Sequence, residues 1–266
     1  MANLEPLIQS IPVAPLKLAS LEGCRTLADQ VNNYLVSFRH ESPTNVGQAD
    51  SLQGYCADSY LLECECPRFG SGEGKGVLKE SVRGCDLFIM VDVTNYSLTY
   101  RVNGYENHMS PDNHYQDLKR IISAADGKAR RINVIMPFLY EGRQHKRSKR
   151  ESLDCALMLQ ELVDMGVSNI LTFDAHDPRV SNSIPLHGFD SFMPTYQFLK
   201  ALVNSVPDFV IDNDHLMIIS PDEGAMGRAV YFSNILGVDM GMFYKRRDYS
   251  TVVNGKNPIV AHEFLG

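Results

Sequence analysis

The sequence predicts an α/β protein of two similar domains, each a mainly parallel sheet flanked by helices, and two observations carry that prediction. Short β-rich apolar runs alternate with amphipathic segments at helical spacing. Polar motifs loaded with charge fall just past the ends of the predicted strands, where open parallel sheets place their ligands. With 266 residues at 44% hydrophobic content the chain is long enough for two cores. The reading divides it into an N-terminal extension over 1–58, a domain over 59–152 and a second domain over 153–266.

Taken in order, the first 40 residues contain Pro6, Pro12 and Pro15 without a clear strand, and 41–58 is polar with Pro43 and Gly47. Both stretches are expected to be irregular or a lineage-specific addition. Residues 60–66 read as strand-like, and further strands are predicted at 86–93, 132–137, 169–174, 216–220 and 238–244. Helices are predicted at 115–125, 153–165, 194–203 and 224–236. The second of these shows the spacing well, with Leu153, Ala156, Leu157, Leu159, Leu162 and Val163 on an apolar face, and Gly166 and Gly237 serve as helix stops.

Composition excludes several functions. Twenty-five Lys and Arg stand against 32 Asp and Glu, a formal charge of −7, so the chain is not a general nucleic-acid or membrane-surface binder. Its basic clusters must act locally. Six cysteines at irregular spacings, with neither a secretory signal nor a long apolar run, predict free thiols in a reducing cytoplasmic compartment. Cys64-Glu65-Cys66 offers half of a zinc-ligand pattern, but no second Cys or His pair stands at partner spacing.

Four segments carry chemistry. Arg143, Gln144, His145, Lys146, Arg147, Lys149 and Arg150 form a basic run behind Gly142, suited to a flap that closes over phosphates, although runs of like charge are more often solvated faces. Asp174-Ala175-His176-Asp177 offers a carboxylate and an imidazole, a pattern that is also common as a structural hydrogen-bonding turn. Ser220-Pro221-Asp222-Glu223-Gly224 opens a helix, with Asp222 a candidate for metal or sugar hydroxyls and a plain strand–helix turn as the alternative. Lys245-Arg246-Arg247 is read as the loop closing the last predicted strand.

In this order, Arg-Gln-x-Lys-Arg, Asp-x-His, Ser-Pro-Asp-x-Gly and Lys-Arg-Arg resemble the ribose-phosphate pyrophosphokinases, the synthetases of phosphoribosyl pyrophosphate. Arg68-Phe69-Gly70-Ser71-Gly72-Glu73 resembles that family's adenine-recognition loop, and Glu80-Ser81-Val82-Arg83-Gly84-Cys85-Asp86 the string that precedes its next strand. The resemblance runs from about Arg68 to Gly266 and implies two phosphoribosyltransferase-like domains. It implies transfer of the diphosphoryl group of ATP to the 1-hydroxyl of ribose 5-phosphate, with Mg2+ on the phosphate oxygens and AMP released. Carried over by residue, it implies that Phe69 stacks on adenine, that Ser71, Gly72 and Glu73 line the nucleotide, and that Arg143 and Gln144 hold base and phosphates. His176 and Asp222 become metal-associated, Lys245 the catalytic lysine, Arg247 its companion, and Lys146 and Arg147 part of the closing loop. It also implies a homo-oligomer built from dimers, up to a hexamer, with the adenine loop of one subunit reaching a neighbour's site.

The sequence departs from the pattern in four places. Ser71 stands where the family usually has Asp, the basic loop is one residue short, Glu223 and Ala225 alter the turn after Asp222, and the sugar-phosphate cradle expected beyond Lys245-Arg246-Arg247 does not occur before Gly266. The expectation is a truncated or partial member of the family. The alternatives are a noncatalytic regulatory paralogue and a phosphoribosyltransferase-fold protein of another activity; the Phe69–Glu73 loop argues against the latter.

Overall fold

The computed structural model describes residues 13–41, 55–247, 250–251 and 259–266. The chain divides into two compact units, Met1–Met193 and Pro194–Gly266. Along the first lie β1 (Leu16–Ser20), α1 (Arg25–Glu41), β2 (Leu61–Leu62), β3 (Cys64–Glu65), β4 (Val77–Leu78), β5 (Asp86–Met90), β6 (Thr99–Val102), β7 (Tyr105–His108), α2 (Pro111–Ala124), β8 (Arg131–Ile135), α3 (Asp154–Asp164), β9 (Val167–Phe173) and β10 (Gly188–Phe192). The second holds α4 (Thr195–Ser205), β11 (Ile218–Ser220), α5 (Met226–Leu236), β12 (Met240–Arg247) and β13 (Ile259–Leu265).

Six strands of the first unit form one sheet in the order β10-β9-β8-β5-β1-β2, parallel at every pairing. Because side chains alternate across a strand, each strand feeds two faces. Leu87 and Ile89 join Leu118 and Ile121 of α2 and Leu159 and Leu162 of α3 in the main core, whereas Leu18 and Met90 pack with Cys24 and Ala28 at the start of α1. Burying each such leucine or isoleucine contributes about 1.5–3 kcal/mol relative to leaving it exposed. Helix α2 begins where Ser110 caps it, its hydroxyl accepting from the Asn113 amide at 3.2 Å, with Pro111 at the first position, where its missing N–H costs nothing.

At the strand starts, the buried Asp86 carboxylate accepts from Arg131 Nε (2.9 Å) and Nη2 (2.5 Å) and from Asn133 Nδ2 (2.7 Å), while Asn169 Nδ2 donates to Asn133 Oδ1 (2.5 Å). This polar ladder ties β5, β8 and β9 together at the rim opposite the loaded loops, with the carboxylate fully partnered. The thiol of Cys64 on β3 donates to the Ser20 carbonyl at 3.2 Å and that of Cys66 to the Asp117 carbonyl at 3.7 Å. Burial pushes them up to about 11 and about 12, so they are protonated structural groups. All six cysteines are free.

Three sequence expectations change. Residues 16–41 are not irregular: β1 lies inside the sheet between β2 and β5, and α1 is a 17-residue helix. A strand as short and mixed as Leu16-Lys17-Leu18-Ala19-Ser20 is specified by its neighbours rather than by its own propensity. The sheet also runs through the expected boundary at 152, since α3, β9 and β10 belong to the first unit. Lys245-Arg246-Arg247 lies within β12, not beyond it, because Lys245 and Arg246 pair with His262 and Ala261 of the antiparallel β13. The remaining part of 1–58, over 1–12 and 42–54, is outside the described residues.

In the second unit, β11 and β12 are parallel, β13 is antiparallel to β12, and α5 follows Asp222 through a short 3-10 turn. Gly237 ends α5 at φ 68°, a left-handed cap that suits glycine.

Candidate functional site

Strands β8 and β9 are parallel neighbours, so their carboxyl ends lie side by side on one rim. The basic loop follows β8 and the Asp174–Asp177 turn follows β9. The front of the loop is braced from outside: Tyr140 stacks on Tyr115 at 4.6 Å, its hydroxyl donates to Asp112 at 2.6 Å, and the Tyr115 hydroxyl donates to Glu161 at 2.7 Å. Burial raises both phenols above their ordinary range, so they remain neutral donors. Gln144 closes the loop on itself, its Nε2 donating to the carbonyls of Ser152 (2.8 Å) and Lys146 (3.3 Å).

Beyond this brace the cations face water. Lys146, Arg147, Lys149 and Arg150 are exposed and make no ion pair among the described residues. Arg143 is exposed too, with its guanidinium 5.9 Å from the centre of the Phe138 ring. In a chain of net charge −7 this is a concentrated local positive field, suited to attracting anions.

The neighbouring turn is held rigidly. Asp174 takes φ 44°, its amide donates to the Phe192 carbonyl at 3.0 Å, and the Ala175 amide donates to Ser191 Oγ at 2.9 Å, which pins the turn to β10. Asp177 accepts from the Arg179 amide at 3.0 Å and from its guanidinium at 2.5–3.2 Å. Arg179 holds the Asp177 carboxyl well below the usual carboxylate range, so it is ionised near neutral pH. His176 is exposed, and its ring lies 5.2 Å from that of His145. The two motifs therefore meet.

The Phe69–Glu73 segment is a hairpin tip beyond β3 and β4. The Phe69 amide donates to the Glu73 carbonyl at 2.7 Å, the Gly72 amide to the Phe69 carbonyl at 2.9 Å, and Gly72 sits at φ 92°. A side chain at Gly72 would meet Val102 Cγ2 at 2.9 Å as well as an unfavourable backbone angle. Phe69 is 53% exposed, and Ser71 Oγ donates to Glu73 Oε2 at 2.8 Å. The base of the tip is anchored by Arg68, which donates to Asp117 at 2.6 and 2.8 Å beside Arg120 at 2.5 Å. Its contacts run to Asp117, Tyr100 and Val102.

Asp222 belongs to the second unit, where its Oδ1 accepts from the Ala225 amide at 3.1 Å as a helix cap, and Ser220 Oγ donates to the Asp222 carbonyl at 2.7 Å. Lys245 and Arg247 are placed on β12; their side chains lie outside the described residues. His145 and Asp177, to which the sequence assigns no individual role, meet across the two strand ends, with His145 Nε2 3.4 Å from Asp177 Oδ2. The only sequence signal was an imidazole inside an otherwise cationic run.

A model of the N-terminal domain of ribose phosphate pyrophosphokinase matches residues 16–166. That match takes in β1 and α1, so residues from 16 onward belong to the shared pattern, well before Arg68, where the resemblance in motifs begins. A ribose-phosphate pyrophosphokinase of Staphylococcus epidermidis is 27% identical over 201 residues, covering 74% of this chain and 56% of the relative. One of Oceanobacillus iheyensis is 26% identical over 202 residues, covering 75% and 57%. The chain thus spans little more than half the length of the curated relatives it matches. The crystal structure of a phosphoribosylpyrophosphate synthetase from Mycobacterium smegmatis superposes with a TM-score of 0.67 at 22% identity, over 93% of this chain and 67% of that one, and shows the shared fold.

Proposed function

The chain belongs to the ribose phosphate pyrophosphokinase family, and on that premise we propose that it binds ATP with Mg2+ and transfers the diphosphoryl group to the 1-hydroxyl of ribose 5-phosphate, releasing AMP. The observation that supports this most is the meeting of an uncompensated cationic loop with the Asp174–Asp177 turn on adjacent parallel strand ends.

In this reading Lys146 and Arg147 close over the phosphates and Arg143 meets the nucleotide, while Gln144 sets the shape of the loop through its bonds to Ser152 and Lys146. Phe69 stacks on adenine, and Ser71 and Glu73, already hydrogen-bonded to each other, face its polar edge, with Gly72 letting the backbone approach. The contacts of that hairpin tip run to Asp117, Tyr100 and Val102, and the family resemblance has it serving the site of a second copy in a dimer-based homo-oligomer. Lys245 and Arg247 stabilise the transferring group. Phosphoryl-type transfer asks little covalent chemistry of the protein and depends on positioning and on cationic neutralisation of spreading charge.

For Mg2+, the first unit offers the exposed imidazole of His176, while Asp177 is taken by Arg179. Mg2+ prefers oxygen ligands and usually completes its shell with water and substrate phosphates, so this sparse donor set fits a cation carried by the nucleotide, with His176 the metal-associated residue of the first unit and Asp222 that of the second. When bound, it supplies neutralisation of phosphate charge. Among the described residues no helix is long and apolar enough to cross a membrane. The six free cysteines suit a reducing compartment, and on that ground we place the protein in the cytoplasm.

The test is AMP release from ATP in the presence of ribose 5-phosphate, compared with Lys245→Ala. The expected result is a turnover loss of about 100- to 1000-fold with nucleotide affinity retained, by analogy with removal of a single transition-state donor. Binding of Mg-ATP without AMP release would leave the chain as a nucleotide-sensing partner of active subunits.

A further inference from the structure

We infer that His145 is a positioning residue which, with Asp177, latches the root of the basic loop onto the turn that presents His176. The inference deepens the phosphate-site reading above and rests on it for its functional consequence.

Within 143–150 the side chains of Arg143, Lys146, Arg147, Ser148, Lys149 and Arg150 are exposed, whereas that of His145 is only 12% accessible and meets an Asp177 side chain that is 11% accessible. His145 has turned inward in a loop whose cations point out. Its Nε2 lies 3.4 Å from Asp177 Oδ2, and its Nδ1 lies 3.2 Å from the Arg143 carbonyl. Both ring nitrogens therefore face acceptors, one on its own loop and one on the neighbouring strand end.

The two sides of this bridge differ in stiffness. Asp177 is chelated by Arg179, caps the 3-10 turn Pro178–Ser183, and is followed by Val180 in the main core. Residues 146–150, by contrast, are exposed, and among the described residues only the Lys146 carbonyl, bonded by Gln144, and the Ser148 amide, 3.2 Å from Glu151, tie that stretch down. Asp177 is thus the anchor and His145 the tether. The tilted contact between the His145 and His176 rings, at 5.2 Å and 55°, makes the same residue a wall for the exposed imidazole. Losing the latch frees Lys146 and Arg147 to leave the position in which His176 and the loop cations address the same phosphates.

The test uses limited trypsin digestion of the full chain, following cleavage after Lys146 and Arg147, for wild type, His145→Ala, Asp177→Ala, the double variant and His145→Gln. Cleavage of a loop tracks the population of its open form, so each alanine variant is expected to be cut about 5- to 20-fold faster, with no further acceleration in the double variant. His145→Gln keeps an amide donor toward Asp177 and is expected to stay near wild type, which also controls for a folding defect. In parallel, Mg-ATP affinity is expected to weaken about 5- to 10-fold in His145→Ala and to be restored in His145→Gln, a pattern that loss of a merely structural contact would not give. Unchanged cleavage in His145→Ala, or effects that multiply in the double variant, would overturn the latch. If cleavage follows the expected pattern while wild type binds no Mg-ATP, the latch stands and the phosphate-site reading fails; Mg-ATP binding with unchanged cleavage means the reverse.

Discussion

Helices α3 and α4 are each 11 residues long and comparably rich in apolar side chains, yet they meet different fates. Asp154–Asp164 buries Cys155, Met158, Leu159 and Leu162 against the six-stranded sheet. Thr195–Ser205 buries only Thr195 and leaves Tyr196 at 70% and Phe198 at 60% exposed. The contrast extends to the whole of each unit. In the second, Met217, Ile219, Val230, Tyr231, Ile235, Phe243, Phe264 and Leu265 are all exposed, and Ala229 and Val238 are its buried hydrophobics among the described residues. Amphipathic spacing makes a helix able to bury a face, but a surface to bury it against decides whether it does. The first unit is held by its own core. The second leaves many of its large apolar side chains exposed.

The largest expected effect that sharpens this comparison is at Asp117, which accepts from Arg68 and Arg120 in a nearly dry setting. Asp117→Ala leaves two guanidinium groups without their partner and should cost the first unit about 3–5 kcal/mol, read by urea unfolding, because breaking a buried pair strands the remaining charge. The Phe69–Glu73 tip should loosen with it. Next is Leu159→Ala, at a fully buried position, with an expected cost of about 2–5 kcal/mol. Ile235→Ala in the second unit, at 50% exposure, should cost less than about 1 kcal/mol in the same assay. Equal costs at the two positions would break the contrast between the units.

Much of this architecture was legible in the sequence, and the misses have physical causes. Strands with strong apolar runs, such as Asp86–Met90 and Val167–Phe173, and helices with clean spacing, such as Asp154–Asp164, were found to within a few residues. Leu16–Ser20 was missed because Lys17 interrupts it and prolines precede it; it is a strand because β2 and β5 offer it a slot. Lys245–Arg247 was read as a loop because three cations seldom continue a strand, and pairing with β13 overrides that preference. In the site, the basic run and Asp174–His176 stood out by composition. The His145–Asp177 contact did not, since only the parallel pairing of β8 and β9 brings those positions together. Gln144 was visible, but its engagement with Ser152 within its own loop depends on the loop's folded path.

The smallest expected effect concerns pH. Burial, then Asp154 and Asp112, raise the Glu141 carboxyl above the ordinary carboxylate range. A carboxyl whose folded pKa is raised stabilises the fold below its unfolded value and loses that contribution as pH rises through the folded value, so at neutral pH ionised Glu141 opposes folding. Glu141→Gln should therefore raise the melting temperature by about 1–2 °C at pH 7, with the gain vanishing below about pH 4. A gain that persists in acid would assign the effect to something other than ionisation.

Whether the cationic loop and the Asp174–Asp177 turn form one phosphate site is tested by calorimetric titration of the chain with Mg-ATP, compared with a Lys146→Ala/Arg147→Ala variant at two salt concentrations. Binding by the wild-type chain is expected, weakened about 10- to 100-fold in the variant with a shallower dependence on salt, as follows when two phosphate-facing cations are lost. Equal affinity and equal salt dependence in the two proteins, or no binding by the wild-type chain, would contradict it.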